Sequence, residues 1–257
     1  MNIFSKIRMN LRKSPLDKII PPEVTKDPFA RWIEFLSGLP DVQTIIEIGS
    51  SSGNGSTQSI LRGCNARDNQ NKPHVFCLEI SKQRFHRLEQ NTAAYPFVHC
   101  YNLPSVSSDE FPSEGDVIDF YKSIPTRLND APLNKVLEWL RDDVEYTRGC
   151  GADVNGLHAI KRRWNIENFD ISIIDGSEFT GAAELDILFG SKFILLDDTE
   201  TYKNRYSHEK LLGSNEYKIL DHDPKLRNGF SIFIRTEIAP NYDWERLAAK
   251  YSQGERA

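Results

Sequence analysis

The residues best suited to do chemistry fall into three groups. The first is Glu47-Ile48-Gly49-Ser50-Ser51-Ser52-Gly53-Asn54-Gly55-Ser56-Thr57, which follows the apolar pair Ile45-Ile46. Glycines at this spacing let the backbone turn tightly and approach a ligand closely, and a helix starting beyond them offers N–H groups without intrahelical partners. The spacing is not G-x-G-x-x-G, and a carboxylate at Glu47 repels phosphate but suits a cationic ligand. The second group is Glu79, directly after the apolar block Val75–Leu78. An acid that ends the second strand of an α/β unit accepts hydrogen bonds from a ribose diol. Glu79 lies 30 residues past Gly49, and the polar loop 65–73 accounts for that length. Turn and acid together predict a ligand of adenosine type.

The third group is Ile173-Ile174-Asp175-Gly176-Ser177-Glu178 with Ile194-Leu195-Leu196-Asp197-Asp198-Thr199. Both acidic segments end apolar strand-like blocks, which puts Asp175, Asp197 and Asp198 on the edge of a sheet where ligands bind in open α/β folds. Acids converging there repel one another unless a cation lies between them. Oxygen ligands without neighbouring His or Cys select Mg²⁺ over Zn²⁺. The alternative is that Asp175 and Asp198 only cap the elements that follow them. His208 falls in the loop expected after Asp198, where a solvated histidine and a catalytic one are both open readings.

These residues need a scaffold, and the apolar pattern supplies one. Blocks recur at Thr44–Ile48, Val75–Leu78, Phe97–Tyr101, Ile171–Ile174, Phe193–Leu196, Tyr217–Leu220 and Phe230–Ile234. The first five show little polar alternation, as strands covered on both faces do. Helical patterns between them, such as Ser81–Asn91 and Ala182–Leu188, predict an α/β doubly wound, mostly parallel sheet of seven strands. The turn-rich stretch 221–229 is too short for a crossover helix, so the last two strands should pair antiparallel at the edge. Between the third and fourth strands lies an insertion, about 104–168. Leu133, Val136, Leu137, Leu140 and Val144 follow helical spacing there, and Val154–Trp164 predicts another helix. The insertion should wall the site, with His158 and Trp164 facing it and Trp139 in the core. The chain then divides into a basic extension with a leading helix (1–40), the α/β domain (41–236) and a tail or helix (237–257).

Composition sets limits. The chain has 257 residues, 39% of them hydrophobic and 27% charged, as ordinary globular proteins do. Apolar runs stay far below the ~20 residues of a membrane helix. Net charge is −5, but residues 1–20 carry Lys6, Arg8, Arg12, Lys13 and Lys18 against Asp17, which leaves the remainder strongly acidic. Nucleic-acid binding calls for a basic face and is not expected. Ile3, Phe4, Ile7 and Leu11 line one side of a basic helix at 1–20, which reads either as a peripheral membrane contact or as a self-docking segment. Cys64, Cys77, Cys100 and Cys150 lack paired metal-ligand spacing, so reduced thiols in a cytoplasmic protein are expected.

Glu47-x-Gly49-x-x-x-Gly53-x-Gly55, Glu79, Asp175-Gly176 and Asp197-Asp198 resemble class I S-adenosylmethionine-dependent methyltransferases. The Ile-Asp-Gly and Leu-Asp-Asp-Thr segments are similar to the FkbM-like and macrocin O-methyltransferase-like branch, and the resemblance spans roughly residues 41–235. It implies a Rossmann-like fold and methylation of a hydroxyl on a sugar, glycan or natural product, a small-molecule acceptor. It also implies that Glu47, Gly49, Ser51, Gly53, Asn54, Gly55 and Ser56 follow the methionine part of S-adenosylmethionine. Glu79 and Ile80 would take the ribose, Asn102 or Ser105 the adenine side, and Asp175 would also touch the cofactor. In the metal-assisted branch Asp175, Asp197 and Asp198 hold Mg²⁺. Asp175 is the expected base and His208 the second choice. Two alternatives stay open: another enzyme on the same fold, and a non-catalytic partner in a glycan-assembly complex. A homodimer is a further expectation.

Overall fold

A computed structural model describes residues 15–67, 72–241 and 244. The amphipathic segment Ile3 to Leu11, part of the 65–73 loop and most of the 237–257 tail lie outside the described residues. In order, the elements are α1 (Pro28–Ser37), β1 (Thr44–Ile48), α2 (Ser56–Asn65), β2 (His74–Leu78), α3 (Lys82–Thr92) and β3 (Val98–Tyr101). The insertion follows as α4 (Glu114–Ser123), α5 (Leu133–Gly149) and α6 (Gly156–Trp164). The chain closes with β4 (Ile171–Ile174), α7 (Gly181–Leu188), β5 (Phe193–Asp197), α8 (Tyr202–Leu212), β6 (Tyr217–Asp223) and β7 (Phe230–Arg235).

The seven strands form one sheet in the order β3-β2-β1-β4-β5-β7-β6. The first five run parallel, and β7 pairs antiparallel with both β5 and β6. This is the doubly wound, mostly parallel arrangement that the apolar blocks predict. Alternate side chains of each strand enter opposite layers. Ile45, Val75, Ile171, Ile173, Phe193 and Leu195 pack with Phe29, Trp32, Ile33 and Leu36 of α1. Ile46, Ile48, Phe76, Leu78, Ile174, Ile194 and Leu196 pack with Leu157 and Ile160 of α6 and Leu185 and Leu188 of α7. Helix α1 starts where Asp27 accepts from the Ala30 amide at 2.9 Å and Pro28 opens the first turn, a favoured pairing of cap and proline.

The insertion builds a third cluster of its own. Val117 and Phe120 of α4 and Val136 and Leu140 of α5 meet Leu128, Phe179 and Tyr202. Helix α4 has no counterpart in the sequence expectations, although Val117, Phe120 and Tyr121 follow helical spacing and pack on this cluster. Helix α6 starts at Gly156, later than the expected Val154, because the Asn155 side chain caps it by accepting from the His158 amide at 2.9 Å. Trp139, expected in the core, is 38% exposed. The buried stripe of α5 runs through Val136 and Leu140, and position 139 points away from it. Among the described residues, no helix is long and apolar enough to cross a membrane.

Candidate active site

A cavity of about 310 Å³ opens at the carboxyl ends of the parallel strands, the edge where open α/β sheets bind ligands. Its floor is the turn after β1. Gly49 and Gly53 have φ of +79° and +74°, and Ser51 also adopts the left-handed region. A side chain at position 49 would put its Cβ 2.0 Å from the Asp175 carbonyl oxygen, so the turns after β1 and β4 touch backbone to backbone. The amides of Gly49 and Ser50 both donate to the Leu78 carbonyl at 3.1 Å, which ties this turn to the end of β2. Gly49, Ser50, Ser51, Ser52, Gly55 and Ser56 line the cavity, and α2 starts beyond Gly55 without a side-chain cap.

Three residues of the motif turn elsewhere. Glu47 is fully buried beneath the turn, and Thr57 Oγ1 donates to its Oε2 at 2.7 Å. It locks α2 onto β1 and is not a lining residue. Gly53 packs under Leu88 of α3, where a Cβ would meet the Leu88 side chain at 2.8 Å. Asn54 accepts from Asn91 Nδ2 at 3.1 Å. Motif spacing could not separate these packing roles from ligand contact.

On the adjoining wall, Glu79 and Ile80 follow β2 and line the cavity. The Glu79 carboxylate accepts from the Ser81 amide at 2.7 Å, and burial pushes its carboxyl up from the ordinary range. Asn102 lies behind this wall, its Nδ2 donating to the carbonyls of Glu79 and Ile80 at 2.8 and 2.9 Å. It braces the loop and does not line the cavity. Ser105 does line it, with Oγ donating at 2.5 Å to the fully buried Glu184 of α7.

The opposite wall carries the acidic ends of β4 and β5. Asp175, Asp197 and Asp198 converge as expected, but protein cations stand among them. Lys203 Nζ donates to Asp175 Oδ1 at 2.9 Å and to Asp198 Oδ2 at 2.6 Å. Arg227 donates to Asp197 Oδ1 at 2.7 Å and also pairs with Asp27. The expected Mg²⁺ site is corrected accordingly: three acids already engaged by Lys203 and Arg227 do not fit a divalent ion. Among the described residues, no group of three His, Cys, Asp or Glu side chains is arranged to hold a metal. Burial pushes Asp175 up to about 6 against the pull of Lys203. Burial works against Asp198 as well, but Lys203, Asn228 and Arg227 together outweigh it and hold that carboxyl below its ordinary value. Burial would also lower Lys203, yet Asp175, Asp198 and Glu178 hold its ammonium well above the usual lysine range.

Lys203 sits in the first turn of α8, and its position is fixed from several sides. Glu178 Oε1 accepts from the Tyr202 amide at 2.9 Å, and Thr201 Oγ1 accepts from the Lys203 amide at 3.3 Å. Asn204 Nδ2 donates to the carbonyls of Ile174 and Asp197 at 3.0 and 2.6 Å. No feature of the sequence singled out Lys203, because a lysine early in a polar helix reads as solvated.

The roof comes from the insertion and from the segment before α1. Asp143, Tyr146 and Thr147 of α5 line the cavity, as do Leu16 and residues 20–24. Tyr146 donates to Asp17 at 2.6 Å, Ser81 Oγ donates to the same oxygen at 3.1 Å, and Arg84 Nε donates to the Lys18 carbonyl at 3.0 Å. Ser177 Oγ donates to Asp143 at 2.5 Å. The expected acceptor contacts in the insertion are elsewhere. Trp164 donates to Tyr101 at 2.8 Å and packs on Phe76 and His99, and His158 is exposed in the first turn of α6. His208 does not sit in a loop: it lies on α8, buried against His222 and Phe233, with Nδ1 3.1 Å from Ser231 Oγ. It is not a lining residue, and burial beside His222 pushes its imidazole down to about 4.

No family model and no curated protein matches the chain. Solved structures align with it at low similarity. A methyltransferase from Geobacter sulfurreducens is 11% identical with a TM-score of 0.48, over 83% of this chain and 80% of that one. The SAH-bound methyltransferase PaMTH1 of Podospora anserina is 12% identical with a TM-score of 0.41, over 80% and 77%. A precorrin-6y C5,15-methyltransferase from Geobacter metallireducens is 13% identical with a TM-score of 0.40, over 84% and 92%. At such values the likeness carries no information about this chain's reaction.

Proposed function

We propose that the chain is an S-adenosylmethionine-dependent methyltransferase that acts on a hydroxyl of a sugar or another polyhydroxylated small molecule. The observation that carries this reading is one cavity with two chemically distinct walls. One wall holds a left-handed glycine turn, the start of α2 and the strand-end acid Glu79; the other holds Asp175 beside the Lys203 ammonium. The volume of about 310 Å³ falls within the range of small-molecule sites.

The residues fit the cofactor in kind. Gly49 to Ser52, Gly55 and Ser56 would hold its methionine part, Glu79 with Ile80 its ribose, and Ser105 lies where a base could approach. When bound, S-adenosylmethionine supplies an electrophilic methyl group on a positively charged sulfur. Asp175 takes the proton of the acceptor hydroxyl, because a carboxyl raised toward 6 is a stronger base than an exposed aspartate. The roof formed by α5 and residues 16–24 excludes water and limits the acceptor's approach. Glu23, Glu79, Asp143, Asp175, Asp197 and Asp198 outnumber Arg84 and Lys203 along the cavity. That balance disfavours nucleic acids and phosphorylated acceptors, and favours neutral polyols.

Titration calorimetry with S-adenosylhomocysteine tests the reading. The wild-type protein should bind, and Glu79→Ala should bind at least about tenfold more weakly, a loss of about 1.4 kcal/mol. No binding by the folded wild-type protein, or equal affinity in the variant, overturns it.

A further inference from the structure

The acidic wall contains a cation that the chain itself provides. Lys203 is 8% exposed, and its Nζ lies within 3 Å of carboxylate oxygens from the ends of two neighbouring strands. An ammonium has three N–H donors and no acceptor. Two of the three go to Asp175 and Asp198, and Lys203 borders the cavity. The side chain is also held in advance. Glu178 and Thr201 fix the backbone of its helical turn, and Asn204 pins that turn to the carbonyls ending β4 and β5. A surface lysine tends to snorkel toward water. This one instead forgoes that freedom to sit between two acids.

We propose that Lys203 is the resident cation of this site, standing where converging carboxylates would otherwise call for a divalent metal, and that its third N–H binds the acceptor's oxygen. The first half depends only on the charge arrangement; the second rests on the methyl-transfer reading. A buried, preorganised ammonium stabilises negative charge developing on an oxygen without reorganising. As the acceptor hydroxyl loses its proton to Asp175, the ammonium keeps its own three hydrogens and contributes only its field and one hydrogen bond. Asp198 keeps the ammonium charged and aimed, which makes it a positioning residue. Arg227 pairs with Asp197 in a similar way, so cations of the chain itself offset much of the acidic charge at this wall.

The test is Mn²⁺ binding followed by electron paramagnetic resonance on the full chain. Wild type and Lys203→Arg should show no site at this wall. Lys203→Met removes the charge at similar volume and should gain one site, with a Kd of about 0.1–1 mM, as weak carboxylate sites have. Mg²⁺ should compete for it, and adding Asp198→Asn to Lys203→Met should remove it. A lysine with a merely structural role would lower stability on substitution but create no metal site. A folded Lys203→Met protein without the new site overturns the proposal. Should that variant not fold, the wild-type protein decides. Sharp amide resonances at 175–177 and 197–199 in the presence of Mn²⁺ support the assignment, and selective broadening there overturns it. Calorimetry with S-adenosylhomocysteine keeps the two readings apart. A wild type that binds it together with Mn²⁺ at this wall loses the ammonium assignment but keeps methyl transfer. One that binds neither loses methyl transfer but keeps the ammonium.

Discussion

The missing side chain of Gly49 and the backbone of Asp175 form one contact: a Cβ at position 49 would lie 2.0 Å from the Asp175 carbonyl oxygen. The turn proposed to hold the cofactor is therefore seated directly on the strand end that carries the proposed base. Gly49→Ala would meet that oxygen and also force a left-handed φ on alanine. A cost of about 2–5 kcal/mol is expected from strain and overpacking together. Urea denaturation should show it as a lowered midpoint, with S-adenosylhomocysteine binding lost in whatever protein remains folded; a midpoint within experimental error of wild type would contradict the contact.

Tyr146 joins the insertion to the segment before α1 through its bond to Asp17. Tyr146→Phe removes one hydrogen bond worth about 0.5–1.5 kcal/mol, while Ser81 still holds Asp17. Amide exchange across residues 16–24 should quicken several-fold with little change in β1 to β5. Equal exchange in both proteins would show that Tyr146 does not hold the roof.

Glu178 predicts a pH dependence of stability. Burial raises its carboxyl from 4.5 to about 7. Between those values the folded protein keeps a proton that the unfolded chain has released, so stability falls as pH rises through this window. A glutamine can still accept from the Tyr202 amide. Glu178→Gln should therefore flatten the profile from pH 4.5 to 7 and gain about 1–3 kcal/mol at pH 8. An unchanged slope in thermal melts would assign it to other groups.

His208 has the opposite sign. Its imidazole is lowered from 6.5 to about 4, so the unfolded chain takes up a proton that the folded protein refuses. Stability is lost as pH falls from about 6.5 toward 4. His208→Gln should soften that acid limb and leave S-adenosylhomocysteine affinity within about twofold, since the residue lies outside the cavity lining. A tenfold loss of affinity would return His208 to the site.

Much of the scaffold was legible in the chain. Strands covered on both faces read as unbroken apolar blocks, and the turn-rich stretch 221–229 was too short for a crossover helix, as the antiparallel pair β6 and β7 bears out, although β6 runs on through Asp223 into that stretch. Strand-end acids could be read because a strand's last residue has only one edge of the sheet to occupy, which brought Asp175, Asp197 and Asp198 together. What those acids meet was not legible. Lys203 follows Asp198 by five residues in a polar helix, and only the docking of α8 through Asn204 and Glu178 turns its side chain inward. The same limit applies to Glu47, Gly53 and Asn102. Their types suited a ligand, but packing against Thr57, Leu88 and the Glu79 and Ile80 carbonyls turned each of them away from the cavity. Trp139, and the choice of Asp143 and Tyr146 over His158 and Trp164, depended on how α5 and α6 roll on the sheet. Local periodicity in the sequence determines which elements form and in what order; the rotation of each helix against its neighbours is a property of the whole core, and it decides which side chains share a cavity.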